Sequence, residues 1–291
     1  MQQELGGEMS LKSKHRRHSR VILLAVIFGL IGSMVTACSG GSSKADAELV
    51  SPDSITYLTA ASFPPFEYKD ESGLAGFDID MINGIAEIIG LTTAPMDLDF
   101  DGLIPALQGG RADLINSAMY IKPERSAQVD FIPYMVVGEA ILVPKGNPKG
   151  ITEVPAGLSG KTVAVTRGAI GETYMIKFNE ELKAAGLPLM KIMALPNNQD
   201  ALLAVRSGRA DAFDTSIPGG AFTITETKGE FEVAATFDLG TQIGMAVRKG
   251  DAKMKKLIED ALAQFVSSGK YEELLVKYNL PLSVNLFAPT K

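Results

Sequence analysis

"LIPALQGGRADLINSAM" at residues 103–119 and "LLAVRSGRADAFDTSI" at residues 202–217 decide how this 291-residue chain folds. Each runs from an apolar helical stretch through Gly-Arg-Ala-Asp into a strand-like run, with Arg111 and Arg209 at equivalent points 98 residues apart. The glycine stops the helix and the apolar run after it reads as a strand. A helix-turn-strand unit used twice predicts two α/β lobes of similar build.

Working outward, strand and helix signals alternate. "ITYLTA" (55–60) is β-branched and aromatic. "FDIDMINGIAEIIG" (77–90) carries Ile79, Ile82, Ile85, Ala86 and Ile89 at helical spacing, with Asp78 as expected N-cap and Gly90 as stop. A strand near 96–99, a helix near 101–109, a strand near 112–117 and a helix opening at Pro123 follow. "TVAVTRGAIGETYMIKF" (162–178) opens a further strand-helix unit, with Ile170, Tyr174, Phe178 and Leu182 on one face and Gly186 as stop. Strands at 139–143 and 241–246 are the natural connectors between lobes, and amphipathic helices at 251–268 and 270–278 return to the first lobe. The expected domains are 54–140 with 242–291 for lobe 1 and 141–241 for lobe 2, preceded by a flexible tether at 38–53.

Residues 1–37 have the form of a targeting leader. Lys12, Lys14, Arg16, Arg17 and Arg20 precede the 15-residue apolar run "VILLAVIFGLIGSMV" (21–35), which is short for a membrane span and suited to a signal peptide. The run ends in "VTAC", whose Cys38 is the single cysteine of the chain. This resembles a bacterial lipobox, which implies cleavage before Cys38, acylation of its thiol and lipid anchoring on the outer side of a membrane.

Without the leader the chain loses both histidines, His15 and His18, and has no tryptophan. A Ser-His-Asp triad, a cysteine nucleophile and a histidine-ligated zinc site are thereby excluded, and no metal or cofactor is expected. Five of 28 basic and two of 34 acidic residues leave with it, so 23 and 32 remain and the net charge becomes −9. A body this acidic, without a basic run, argues against nucleic acid as partner.

Five segments in order, "FPPFEYKDESGLAGFDIDMINGIAE", "DFDGLIPALQGGRADL", "IKPERSAQVDF", "PYMVVGEAILVPKGN" and "LSGKTVAVTRG", resemble the polar-amino-acid family of solute-binding proteins that serve ATP-driven (ABC) importers. The resemblance spans about Ile55 to Leu280. It implies an α/β fold of two Rossmann-like lobes joined by a two-strand hinge, the periplasmic binding protein type II-like fold, closing over a small carboxylated solute such as an amino acid. The implied partners are a membrane permease and its ATPase, the implied location is extracytoplasmic, and a monomer is expected.

Carried over position by position, the resemblance implies that Phe63 and Phe100 wall the ligand, and that Ser117 and Ala118 meet its carboxylate and amine. Arg125 would grip the carboxylate with parallel donors and a charge it does not lose; its alternative is a surface arginine paired with Glu124 or Asp130. The turn "TRGAIG" (166–171), with Thr166, Ala169 and Ile170, would present helix N-terminal N–H groups to the same carboxylate.

Two positions depart from the family pattern. Tyr120 stands where a small hydroxyl residue is usual, and either walls the pocket with Phe63 and Phe100, the favoured placement, or swings outward. Ser216 stands where an aspartate holds the ligand's ammonium. Asp214, two residues earlier and on the same strand face, is a substitute carboxylate or a mere strand-end residue. The expected ligand-binding set is therefore Phe63, Phe100, Ser117, Ala118, Tyr120, Arg125, Thr166, Ala169, Ile170, Asp214 and Ser216. A cyclohexadienyl-dehydratase-like enzyme on the same scaffold is the alternative function, with Glu67, Glu139 or Glu172 as acid. A ligand-sensing module is the third.

Overall fold

The computed structural model describes residues 47–288. The leader at 1–37, the lipidation site at Cys38 and the tether up to residue 46 lie outside the described residues. Among the described residues, no helix is long and apolar enough to cross a membrane.

The first lobe opens with β1 (Ser54–Thr59), then a small three-stranded sheet of β2 (Ser62–Phe63), β3 (Glu67–Asp70) and β4 (Gly73–Ala75). This sheet is not among the elements expected from the sequence. Helix α1 (Phe77–Ile88), strand β5 (Thr92–Asp97), helix α2 (Leu103–Gln108), strand β6 (Leu114–Tyr120) and the single turn α3 (Pro123–Ser126) follow. The 16-residue strand β7 (Val129–Pro144) leads to the second lobe: β8 (Thr162–Thr166), α4 (Ile170–Ala184), β9 (Lys191–Leu195), α5 (Asn198–Arg206), β10 (Ala212–Ser216) and α6 (Ile217–Glu226). The 18-residue β11 (Phe231–Arg248) runs back, and α7 (Ala252–Ser267) and α8 (Lys270–Lys277) finish on the first lobe.

One sheet holds both lobes, in the order β5-β1-β6-β11-β7-β10-β8-β9. In the first lobe β1 pairs in parallel with β5 and β6, and β6 pairs antiparallel with the end of β11. In the second, β8 pairs in parallel with β9 and β10, and β10 pairs antiparallel with the end of β7. The two orders are the same pattern, with the first strand between second and third and an antiparallel long strand outside the third. Strands β7 and β11 pair with each other from Phe231↔Pro144 to Arg248↔Val129, so the connectors expected at 139–143 and 241–246 are parts of much longer strands. The chain is a periplasmic-binding-type II-like fold of two α/β lobes on a shared two-strand hinge.

The repeated Gly-Arg-Ala-Asp turns explain the likeness. The backbone N–H of Asp113 donates to Thr56 O at 2.8 Å while its carboxylate accepts from Thr56 N–H at 2.7 Å. Asp211 does the same to Thr162, at 2.7 and 2.8 Å. Each aspartate thus clamps the first strand of its lobe from both sides. Asp113 also takes the N–H of Val50 at 2.8 Å, so the last residues of the expected tether already touch the first lobe.

Each lobe buries apolar side chains on both sheet faces. Phe77, Met81, Ile82 and Ile85 of α1 pack with Met254, Ile258 and Phe265 of α7, and Leu103 and Leu107 of α2 fill the other face. In the second lobe Met175 and Leu182 of α4 cover one face and Ala201 and Val205 of α5 the other. Expected boundaries shift by a few residues: the strand near 96–99 is β5 at 92–97. Asp78 is not the N-cap of α1; Gly76 is, at φ 129°, where a Cβ would run into the Phe66 carbonyl. Asp78 sits in the first turn with no exposed surface and is used in the interior.

Candidate functional site

A cavity of about 280 Å³ lies between the lobes. The first lobe contributes Ala60–Phe63, Phe100, Ala118 and Tyr120; the second contributes Thr166, Ala169–Gly171, Asn197–Gln199 and Asp214–Ser216. The lobes also touch directly at the rim, where Asn198 N–H donates to Ser62 Oγ at 3.4 Å.

Nine of the eleven expected residues line this cavity: Phe63, Phe100, Ala118, Tyr120, Thr166, Ala169, Ile170, Asp214 and Ser216. Ser117 and Arg125 do not. Ser117 is fully buried, its hydroxyl donating to Glu67 Oε1 at 2.8 Å and accepting from Ala60 N–H at 3.0 Å. Arg125, also buried, donates through its two terminal nitrogens to Tyr120 O and to Gly168 O, each at 2.9 Å, and lies against the Phe100 ring at 5.3 Å. It therefore spans from the first lobe to the turn of the second. Burial pulls its pKa down to about 10, which leaves it charged at neutral pH. The partner considered for a surface role, Asp130, pairs with Lys249 at 2.7 Å instead.

Tyr120 takes the inward placement. It is 4% exposed and its hydroxyl donates to Glu139 Oε1. Ser216 has a local task as N-cap of α6, accepting the Gly219 N–H at 3.1 Å. Asp214 shares its strand face and is buried, and its Oδ1 has no hydrogen-bond partner. Ala118 holds φ 37°, unusual for a side chain with a Cβ, and its N–H donates to Asp78 Oδ2 at 2.8 Å.

Further acidic side chains were not in the expected set. Glu67, Asp97, Asp99 and Glu139 all line the cavity, with Lys69 as the sole lysine or arginine in the wall among the described residues, paired to Asp97 at 2.5 Å. Burial pushes Glu139 up to about 7; burial and then Glu139 push Asp214 well above the carboxylate range. Burial pushes Asp78 up to about 7, and burial and then Asp78 push Glu67 well up. The sequence does carry a signal for Glu139, a lone charge inside the apolar run "VVGEAILV" (136–143). Glu172, the third carboxyl considered for acid catalysis, is outside the cavity and accepts Gly168 N–H at 2.7 Å. Among the described residues, no group of His, Cys, Asp or Glu is placed to hold a metal ion.

Residues 55–281 match the family model described as bacterial extracellular solute-binding proteins, family 3. The chain is 31% identical over 226 residues to the L-arginine-binding protein of Pseudomonas aeruginosa, covering 75% of this chain and 85% of that one. Among solved structures, an ancestral arginine-binding protein bound to arginine is 36% identical with a TM-score of 0.71, covering 77% of this chain and 97% of that one. An ancestral amino acid-binding protein described as a precursor of cyclohexadienyl dehydratase is 35% identical with a TM-score of 0.68, covering 77% and 95%.

The chain belongs to family 3 of the bacterial extracellular solute-binding proteins. It is an extracytoplasmic solute-binding protein of the kind that serves ATP-driven importers.

Proposed function

We propose that the two lobes close over an amino acid, and that the closed chain hands it to a permease driven by an ATPase. The observation that carries this is the cavity itself: it is small, it takes its walls from both lobes, and three aromatic side chains (Phe63, Phe100, Tyr120) stand beside ionisable ones. The arginine-binding relatives favour the same solute class. Thermal-shift and calorimetric titration with the common amino acids is the test, since a ligand of the folded form alone raises apparent stability. At least one is expected to bind at micromolar Kd or tighter; no response across the set would end the proposal.

In this proposal the lobes divide at 54–140 with 242–291 and 141–241, and the nine expected residues that line the cavity form the contact set together with Arg125, while Ser117 holds Glu67 and Ala60 behind the wall. Arg125 serves the carboxylate: a guanidinium has five donors, and two of them are engaged with carbonyls. The chain is lipidated at Cys38, anchored outside the membrane and monomeric; loss of membrane association in Cys38→Ala tests the anchor. It is a receptor and not a catalyst. Glu67 and Glu139 in the cavity wall are what an enzyme would use as acid, and purified protein is expected to leave prephenate and arogenate unchanged.

A further inference from the structure

We propose that Glu139, Asp214 and Tyr120 form the seat for a nitrogen cation on the solute, an ammonium or guanidinium group. The inference rests on the cavity being the solute site and names what that site recognises.

The seat is built from three strands. Ser216 of β10 stands opposite Glu139 of β7, and Asp214 stands opposite Ile141, so Glu139 and Asp214 are diagonal neighbours on one face of an antiparallel pair. Tyr120 closes on them from β6 of the first lobe and donates to Glu139 Oε1. Glu139 is 1% and Asp214 5% exposed, and both face the cavity. Behind Asp214, the start of α4 has Gly171, where any Cβ would collide with Asp214 Oδ2. The other oxygen, Oδ1, is buried in the cavity wall without a donor.

A buried carboxyl oxygen without a donor is costly, and this one points at what the site lacks. The nearby cations are committed elsewhere. Lys122 donates to Tyr174 Oη at 2.6 Å and to Asp238 and Thr241 at 3.2 Å. Arg125 is held by two carbonyls, and Lys69 by Asp97. Ser216, whose hydroxyl caps α6, adds no charge. An ammonium or guanidinium entering the cavity brings several donors and the missing positive charge, and the Tyr120 and Phe63 rings offer faces suited to cations.

Proton exchange follows from the geometry. Two adjacent buried carboxyls do not both ionise without a cation. The pair holds a proton near neutrality because burial disfavours its charge and the two carboxyls hydrogen-bond to each other; Tyr120 supplies a further hydrogen bond, Asp238 adds repulsion and Lys122 partly offsets it. A bound cation favours the ionised pair, so the proton leaves and affinity rises as pH rises towards and through about 7.

The test is calorimetry on the full folded protein with the common amino acids, agmatine and putrescine, against N-acetylated amino acids, L-citrulline and succinate. Every solute that binds is expected to carry a nitrogen cation. Removing the seated cation should weaken binding by about 100-fold, with the same loss in Glu139→Gln and in Asp214→Asn. In Glu139→Gln, removing that cation should then cost little more, which identifies the cation that sits there. Titration at pH 6.5 in buffers of different ionisation enthalpy should show a proton released by the wild type and a smaller release by Glu139→Gln, in which buried Asp214 remains. This wild-type measurement stands even where a variant fails to fold.

The seat is overturned if succinate, or an N-acetylated amino acid with no other nitrogen cation, binds as tightly as the cationic solutes, or if both variants fold and keep affinity within about twofold. Agmatine or putrescine binding while no amino acid does would uphold the seat and remove the amino-acid solute. An amino acid whose affinity ignores both variants would do the reverse. Silence from every solute would remove both.

Discussion

Two buried carboxyl pairs border the same cavity, the first through Glu67 alone and the second through both members, and are held in opposite ways. In the first lobe, Glu67 and Asp78 are tied to the frame: Ser117 donates to Glu67 at 2.8 Å, Ala118 N–H to Asp78 at 2.8 Å, and the buried Tyr134 hydroxyl to both Asp78 oxygens at 2.7 Å. Across the cavity, Glu139 takes the Tyr120 hydroxyl and Asp214 keeps one oxygen bare. Glu67 also keeps a bare oxygen, but its pair already ties two further strands, β6 and β7, to β3 and α1. Similar acidity thus serves two ends. Donors from the backbone and from a buried tyrosine make the first pair a clasp, and their scarcity makes the second a receptor.

The largest expected effect breaks the clasp. Asp78→Ala leaves the Tyr134 hydroxyl and the Ala118 N–H buried without acceptors, and frees Ala118 from the contact that holds its left-handed backbone. A loss of about 3–5 kcal/mol in urea unfolding is expected. Glu139→Gln, by contrast, should keep the fold and reduce solute affinity by about 100-fold. If the two substitutions exchange these outcomes, the clasp and receptor are misassigned.

The pairs also differ from ordinary carboxyls in pH response. Asp78 and Glu139 are pushed up to about 7 by burial, whereas unfolded carboxyls titrate near about 4. The folded chain therefore holds protons that the unfolded chain has released. Their contribution to stability is fully present below about pH 4 and lost as pH rises through about 7. Solute-free protein should lose stability between about pH 5 and 8, and Glu139→Gln should flatten part of that slope in urea titrations. A wild-type stability that rises across the same range would show that the carboxyls ionise freely.

How much of this was legible depends on distance along the chain. The two Gly-Arg-Ala-Asp turns announce two like lobes because each aspartate clasps its own lobe's first strand, a relation the repeat carries with it. The helices at 77–88 and 170–184 follow from apolar spacing. What Asp78 does was not legible, since a cap and a buried clasp differ only in where Tyr134, 56 residues on, places its hydroxyl. Arg125 is similar: its residue type fits a carboxylate, but its orientation is set by Gly168, 43 residues away in the other lobe. Glu139 was visible as a charge in an apolar strand, and only cross-strand register shows that it meets Asp214.

Arg125 tests how far the receptor depends on closure. Its bond to Gly168 O crosses between lobes while its bond to Tyr120 O stays within one. In Arg125→Ala, a solute without a carboxylate, such as agmatine, should lose about tenfold in affinity from the missing crossing bond. Any further loss with L-arginine measures the grip on its carboxylate. An unchanged agmatine affinity would show that the crossing bond does not hold the closed form.

The smallest expected effect lies at the hinge edge of the same comparison. Lys122 follows β6 in the first lobe and reaches Tyr174 on α4 and Asp238, where β11 breaks register between Phe237 and Thr241; Tyr174 also donates to Asp238. This is another crossing contact, but Lys122 and Asp238 are 20% and 23% exposed in their side chains, so water and salt compete for it. Such an ion pair is worth up to about 1 kcal/mol. Lys122→Met should therefore weaken solute binding by roughly two- to fivefold. The difference from wild type should shrink as salt rises, because screening removes from the wild type what the substitution has already removed. A loss as large as that of Arg125→Ala, unchanged by salt, would mean that Lys122 acts on the solute itself and belongs with the receptor residues.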